Sequence, residues 1–352
     1  MMKGKFEKIT KIIPENCDGI LLTSEVNQFY ACDFPFTDGY VLVMRDKTYL
    51  ISDPRYYEAS LASEGVEKVE LKRGVLEELF SSLNIKALAY EDFELTVASL
   101  KRLEGRFPDI EFHPIGNALD DLREYKDEDE LEKIKTAQSI ADKAFEHILG
   151  FINPDRTEKE IALELEFFMR SHGAENVSFE TIAVSGQATS LPHGVPRDVK
   201  VNPGFLTMDF GCKYHGYCSD MTRTVVVGKA TDEMKKLYNT VLTAQLAAIE
   251  AAAHGMKCSD LDRIARDIID AVPEYKGAFS HSLGHGVGLY IHEMPGVSSY
   301  NDGKVLQTGH VITIEPGIYL FGKYGCRIED MMVFHKDGVE NITHSRKELI
   351  EI

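Results

Sequence analysis

Apolar positions follow two different periods along this chain, and the places where the period changes divide it. Over roughly the first 115 residues, short apolar runs with β-type alternation are separated by helical stretches. Residues 20–23, 40–45, 48–52, 66–71, 87–90 and 110–113 predict strands, with Asp46-Lys47 as a hairpin turn. A helix is predicted after Asp53-Pro54, because proline at a first-turn position loses no hydrogen bond. Further helices are expected around residues 75–83 and 94–105. This pattern describes a small α/β domain over residues 1–118, and it holds no catalytic constellation.

A charged stretch at residues 119–130 reads as a linker, and the period then becomes helical. Asp127 with Glu130 forms an N-terminal capping box, and Leu131, Ile134, Ala137, Ala141, Phe145 and Ile148 line one apolar face. Thr157 with Glu160 opens a second helix that closes at His172-Gly173, and two more helices are predicted over 232–253 and 260–271. Strand-rich segments lie at 178–185, 205–213, 217–227, 311–320 and 325–335. Helices are segregated from hairpins instead of alternating with single strands. Residues 131–352 are therefore expected to form an α+β domain, an antiparallel sheet covered by helices. Two helices followed by a hairpin occur twice, a loose internal echo.

Both hairpins carry acids inside apolar strands. With a turn centred between Tyr214 and His215, Asp209 and Asp220 face each other, Cβ atoms ~4.5–5.5 Å apart. With a turn centred on Gly322, Glu315 opposes Glu329. Buried carboxylates that close cannot all ionise unaided, so either a shared proton or bound cations must relieve them. Four carboxylates with an imidazole suit two metals ~3.5–4 Å apart better than a proton-sharing dyad. His285, in Ser282-Leu283-Gly284-His285-Gly286-Val287-Gly288, supplies the nitrogen, and its glycine neighbours permit close backbone approach. Oxygen-rich ligation with one histidine suits manganese first, with cobalt or zinc as alternatives.

Composition narrows the function classes. At 352 residues two domains are natural, since single cores stop growing near ~250–300 residues. A net charge of −18 argues against a nucleic-acid partner, and no apolar run approaches the ~20 residues a membrane span needs. The amino-terminal stretch lacks an apolar signal core, so a cytoplasmic protein is expected. Six cysteines include no Cys-x-x-Cys pair and read as reduced, buried thiols, Cys212 and Cys218 among them.

Five segments together resemble the pita-bread metallopeptidases, in the branch of Xaa-Pro aminopeptidases and Xaa-Pro dipeptidases (prolidases). They are LPHGVP (191–196), MDFGCKYHGYCSDMTRTVVVG (208–228), HSLGHGVGLYIHE (281–293), ITIEPGIY (312–319) and CRIEDMMVF (326–334). Residues 51–60, ISDPRYYEAS, resemble the family's small leading domain. The likeness spans nearly the whole chain, and several separated motifs in the right order are far more specific than one.

The resemblance implies a pita-bread catalytic domain behind a creatinase-N-like domain, and a homodimer acting on proline-containing peptides. It implies two divalent ions held by Asp209, Asp220, His285, Glu315 and Glu329, with a bridging water as nucleophile. Glu315 would shuttle the proton to the leaving nitrogen, and His292 would steady the developing oxyanion. His193 and His281 would line the cleft, and Arg327 would orient the carboxylates from behind. Many dipeptidases of that branch carry an arginine shortly after the His-Glu pair, to clamp the substrate carboxylate. Here Gly296 follows His292-Glu293-Met294-Pro295, with Arg197 as one possible replacement. The reading is therefore an Xaa-Pro aminopeptidase, with prolidase action as the alternative. A metal-free creatinase-type amidinohydrolase and a non-catalytic scaffold are less favoured, because no acidic ligand is missing.

Overall fold

The computed structural model describes residues 2–352, which form two compact units, Met1–Arg123 and Glu124–Ile352. In the first unit a mixed six-stranded sheet runs in the order Glu67–Glu70, Thr48–Ser52, Gly39–Met44, Gly19–Leu22, Ala87–Tyr90, Glu111–Pro114. Leu21, Leu42, Ile51 and Leu88 on this sheet pack with Leu76 and Phe80 of the helix Val75–Ser82 and Leu103 of Val97–Arg106. Asp53 caps the helix Pro54–Ser60, whose proline occupies its first turn. Three short helices had no strong pattern in the sequence: Met2–Lys11, Glu25–Cys32 and Ala118–Arg123. The last of these falls within the stretch expected as a linker.

The second unit opens with the helix Glu128–Phe151, and both halves of the Asp127/Glu130 capping box are made. Thr157 and Glu160 form the second box at the start of Glu158–Ser171. Ala137, Ala141 and Phe145 from the first helix, and Ile161 and Leu165 from the second, share a core with Leu206, Met208, Phe210, Met221 and Val225 of the first hairpin. The helices Asp232–Ala251 and Cys258–Asp270 do the same for the second hairpin, packing on Ile312, Ile314, Ile318, Met332 and Phe334. The internal echo is thus a repeated layer, one helix pair per hairpin. Each fully buried aliphatic or aromatic side chain here contributes roughly 1.5–3 kcal/mol.

Strand alternation decides what faces away from the helices. Met208 and Phe210 enter the helical core, so Thr207 and Asp209 point to the opposite side. Ile312 and Ile314 likewise leave Thr313 on the other face. All ladders between the strands of this unit are antiparallel, with one isolated parallel bridge from Val226 to Glu351, yet they do not make one continuous sheet. The structure divides them into sheets of three, three, five and two strands, and the breaks fall beside the acids. Among the described residues no helix is long and apolar enough to cross a membrane.

Candidate metal centre

The first hairpin comprises Gly204–Phe210 and Cys212–Tyr214, returning through Tyr217–Cys218 and Met221–Val227. Its turn differs from the expected one by a residue. His215 (φ 46°) and Gly216 (φ 80°) are both left-handed, the requirement of a two-residue type I′ turn. Tyr214 therefore pairs with Tyr217, and the register carries Asp209 opposite Thr222. The expected direct opposition of Asp209 and Asp220 is corrected to a diagonal. They share a face two positions apart, with Asp220 in the break before Met221.

The second hairpin keeps the expected register. Gly317 pairs with Arg327 and Ile314 with Asp330, so Glu315 and Glu329 align between two ladders. Neither gives its N–H to the other's strand. The Glu315 amide donates to the Leu283 carbonyl (2.8 Å), and that of Glu329 to the Thr222 carbonyl (3.1 Å). The break frees both side chains to point into the cleft and ties the second hairpin to the first.

His285 sits on the short strand Gly284–Gly286. A Cβ on Gly284 would lie 2.0 Å from the Thr313 carbonyl oxygen, and one on Gly286 2.2 Å from that of Met294, so only glycine fits at either side. The ring Nδ1 donates to the Gly286 carbonyl (3.1 Å). That leaves Nε2 without a hydrogen, facing Asp220 Oδ2 at 3.5 Å and Glu315 Oε1 at 3.4 Å. A bare nitrogen lone pair turned towards two carboxylate oxygens is a repulsive arrangement until a cation lies between them. Asp220, His285 and Glu329 each offer a ligand atom within 4.8 Å of the others. Asp209 holds one oxygen on Arg327, while its buried Oδ1 has no partner.

The electrostatics agree with the geometry. Asp220 is 4% exposed and Glu329 2%. Burial, then the neighbouring Glu329, Asp209 and Glu315, pushes Asp220 well above the usual carboxylate range. Burial, then Glu315 and Asp209, does the same to Glu329. Glu315 is driven up to about 8, again chiefly by burial, with Arg327 opposing the rise. Burial drives His285 down to about 4, with His292 adding to the effect, so its imidazole is neutral and fit to ligate. An acidic cluster of this kind fits divalent cations, whose charge relieves the repulsion burial intensifies.

Among the described residues Arg327 is the one arginine or lysine that donates within the cluster. It donates from Nη2 to Asp209 Oδ2 (2.5 Å), from Nη1 to Tyr319 Oη (2.8 Å) and the Pro192 carbonyl (3.2 Å), and from Nε to Thr222 Oγ1 (3.0 Å). Burial works against its charge, but Tyr319, Asp209, Glu315 and Glu329 outweigh that, and its pKa lies above the ordinary arginine value. Tyr319, Thr222 and Thr313 were not anticipated from the sequence. The available signal was strand period, since Thr313 precedes Glu315 and Thr222 follows Asp220 by two positions on the same face.

Every residue anticipated for the site lines one cleft of about 840 Å³: Asp209, Asp220, His285, Glu315, Glu329, Arg327, His193, His281 and His292. The histidines differ in freedom. His281 donates from Nδ1 to the Ser282 carbonyl (2.8 Å) and meets Tyr319 Oη through Nε2 (2.9 Å), so both ring nitrogens are engaged. His292 is exposed, with its ring edge-on to His285 at 4.3 Å. The adjacent Glu293 anchors that loop by accepting from the Tyr290 amide (3.1 Å) and the buried Lys126 ammonium (3.0 Å). Cys212 and Cys218 take no part. They are buried thiols donating to the Ala137 and Leu289 carbonyls, pushed up by burial to about 12 and about 11.

Beyond the acids, the cleft runs along the helix Glu158–Ser171. Lys159, Ala162, Leu163 and Glu166 line it at the spacing of one helix face. Leu163 is 64% exposed, as is Val195 at 76% across the cleft. Arg197 does not line the cleft. It is clamped on the buried Glu158 carboxylate through Nε (2.9 Å) and Nη2 (2.6 Å), which removes it as a replacement carboxylate clamp.

Comparison with known proteins gives the family. Residues 132–336 match the model of metallopeptidase family M24, and residues 9–125 that of the creatinase/prolidase N-terminal domain. The Xaa-Pro dipeptidase of Pyrococcus furiosus is 38% identical, over 99% of this chain and 100% of its own. A solved Xaa-Pro dipeptidase from Bacillus anthracis superposes with a TM-score of 0.94 at 40% identity, covering 100% of both chains. A solved X-Pro aminopeptidase from Thermotoga maritima gives 0.91 at 37%, covering 96% of this chain and 98% of its own. The fold is the pita-bread fold behind a creatinase-type N-terminal domain, and the chain is a hydrolase that belongs to metallopeptidase family M24.

Proposed function

We propose that the protein is an Xaa-Pro aminopeptidase that uses two divalent metal ions, manganese foremost, held by Asp209, Asp220, His285, Glu315 and Glu329. The observation that carries the metal reading is the bare Nε2 of His285 facing the buried Asp220 and half-buried Glu315 carboxylates. Bound there, the ions would polarise the scissile carbonyl and make water a competent nucleophile at neutral pH.

The chain's own groups do the rest. Among the described residues Glu315 Oε2 has no hydrogen-bond donor, His281 Nδ1 standing 4.0 Å away, while Oε1 takes the Thr313 hydroxyl at 3.2 Å. The free oxygen is placed to accept a proton from the attacking water and return it to the imino nitrogen of proline. His292, exposed on the cleft, donates to the carbonyl oxygen as negative charge builds on it. His193 contacts the peptide from the Pro192–Pro196 loop. His281 acts as a positioning residue, because its two nitrogens are already engaged.

The preference for peptides longer than two residues rests on the cleft's cations. Among the described residues the lining arginine is Arg327, committed to Asp209 and Tyr319, and the lining lysine is Lys159 on the helix beyond the acids. No bidentate carboxylate clamp stands where a dipeptide would end. The names of the Pyrococcus and Bacillus relatives favour a second reading, an Xaa-Pro dipeptidase on the same site. A matched assay of Xaa-Pro against Xaa-Pro-Yaa peptides, after chelation and add-back of manganese, cobalt or zinc, tests both. Faster turnover of the tripeptide upholds the aminopeptidase, and faster turnover of the dipeptide overturns it. Full activity in metal-free protein refutes the metal reading.

A further inference from the structure

Two threonine hydroxyls hold matching places behind the glutamates. Thr222 is fully buried. Its Oγ1 accepts the Nε–H of Arg327 at 3.0 Å, so its own hydrogen is directed to Glu329 Oε2 at 2.6 Å. Thr313, also fully buried, accepts the backbone N–H of His285 at 3.1 Å and directs its hydrogen to Glu315 Oε1 at 3.2 Å. In each case an N–H on the lone pair leaves the hydroxyl one direction in which to donate. The donors differ in kind: Arg327 is a cation and the His285 amide is neutral. Asp209 takes its donor from Arg327 directly, so the chain Asp209–Arg327–Thr222–Glu329 joins a ligand of the first hairpin to one of the second.

We infer that Thr222 and Thr313 are positioning residues for the metal centre, with Thr222 dominant. A glutamate side chain has three rotatable bonds. A fixed donor on one carboxylate oxygen settles the rotamer when the protein folds, so the ordering cost does not fall on metal binding. Thr222 has the larger part because its contact is shorter, its hydroxyl is polarised by a full charge, and its loss strands both Arg327 Nε and Glu329 Oε2. The inference rests on the metal reading above.

The test is calorimetric titration of the metal-free protein with Mn²⁺, with circular dichroism and the thermal midpoint recorded on the same samples. Thr222→Val, which keeps the shape and removes the hydroxyl, is expected to weaken Mn²⁺ binding by about 10–100-fold, the usual effect of losing such a partner. Thr313→Val is expected to weaken it less. Thr222→Ser and Thr222→Ala both lack the methyl group and differ only in the hydroxyl. Serine is expected to stay within a few-fold of wild type while alanine follows valine. A merely structural threonine would move the thermal midpoint without separating serine from alanine in affinity. Equal affinity for those two, or wild-type affinity in a folded Thr222→Val protein, overturns the inference. A wild-type protein that takes up no Mn²⁺ overturns the metal reading itself, a different outcome.

Discussion

The two hairpins of the second unit do the same task with different geometry. The first supplies aspartates on a diagonal, the second glutamates in direct register. A short side chain reaches less far, so the aspartates must come from backbone positions close to the centre. Asp209 sits within a strand, and Asp220 in a break where Gly211 opposite has no room for a Cβ, which would lie 1.9 Å from the Ser219 carbonyl oxygen. The glutamates sit in a gap between two ladders and reach in on longer stems. Support differs too. Each glutamate is held by a threonine hydroxyl, whereas Asp209 depends on Arg327, which belongs to the second hairpin. The first hairpin therefore cannot fix Asp209 without the second.

That dependence can be broken in steps of decreasing size. Asp220→Asn should cost more than about 100-fold in kcat/KM, beyond the range of outer-partner changes, and reduce the bound metal seen by elemental analysis. Full two-metal occupancy in that variant would remove Asp220 from the ligand set. Arg327→Met should destabilise the metal-free protein by about 3–5 kcal/mol, because it removes the buried cation paired with the half-buried Asp209 carboxylate on the opposite hairpin. Chemical denaturation measures this, and saturating Mn²⁺ should restore part of the loss by binding only the folded form.

A gentler probe uses the clamps that hold each half's loop. Glu158 accepts the Ser185 amide (2.7 Å) and the Arg197 amide (3.0 Å), and so secures the loop bearing His193. Asp262 accepts the Leu283 amide (3.0 Å), and Arg266 donates to the His281 carbonyl (2.8 Å), which secures the loop bearing His285. Burial opposes the Glu158 charge, but Arg197 and the Ser185 donors prevail and hold its pKa below the ordinary value of 4.5. A depressed folded-state pKa contributes stability that is complete above the unfolded value and is lost as pH falls through the folded one. Acid titration of stability below about pH 4.5 should therefore be shallower in Arg197→Ala than in wild type. An unchanged slope would show that the clamp carries no linkage. The smallest effect is expected from Leu163→Asp. Stability should stay within about 0.5 kcal/mol, while KM rises for tripeptides with an apolar third residue more than for dipeptides. Equal changes for both substrates would mean that the exposed helix face does not meet the peptide.

Much of this was legible in the chain because it rests on local rules. The capping boxes at Asp127 and Thr157, the proline start at residue 54 and the helix periods depend on near neighbours. The second hairpin's register could be counted because Gly322 (φ 71°) centres a turn of odd length. In the first hairpin the outcome depended on His215 adopting a left-handed conformation that histidine seldom takes, and one residue of turn placement moved the pairing by two. The ladder breaks at Glu315 and Glu329 were not legible, because their amides bond to residues remote in sequence. Arg197 beside Glu158 is likewise a tertiary pairing that no spacing announces.

The amide of Glu329, given to the carbonyl of Thr222, also bears on how the chain matures. The proposed ligands run from residue 209 to residue 329, so neither hairpin alone holds them all. A chain in which only the first helix pair and hairpin have condensed presents two aspartates with Arg327 still unplaced. On the proposed ligand set, metal capture would follow the docking of both halves. An incomplete chain would compete poorly for cations, and isotope exchange at the Glu329 amide would report when that docking is complete.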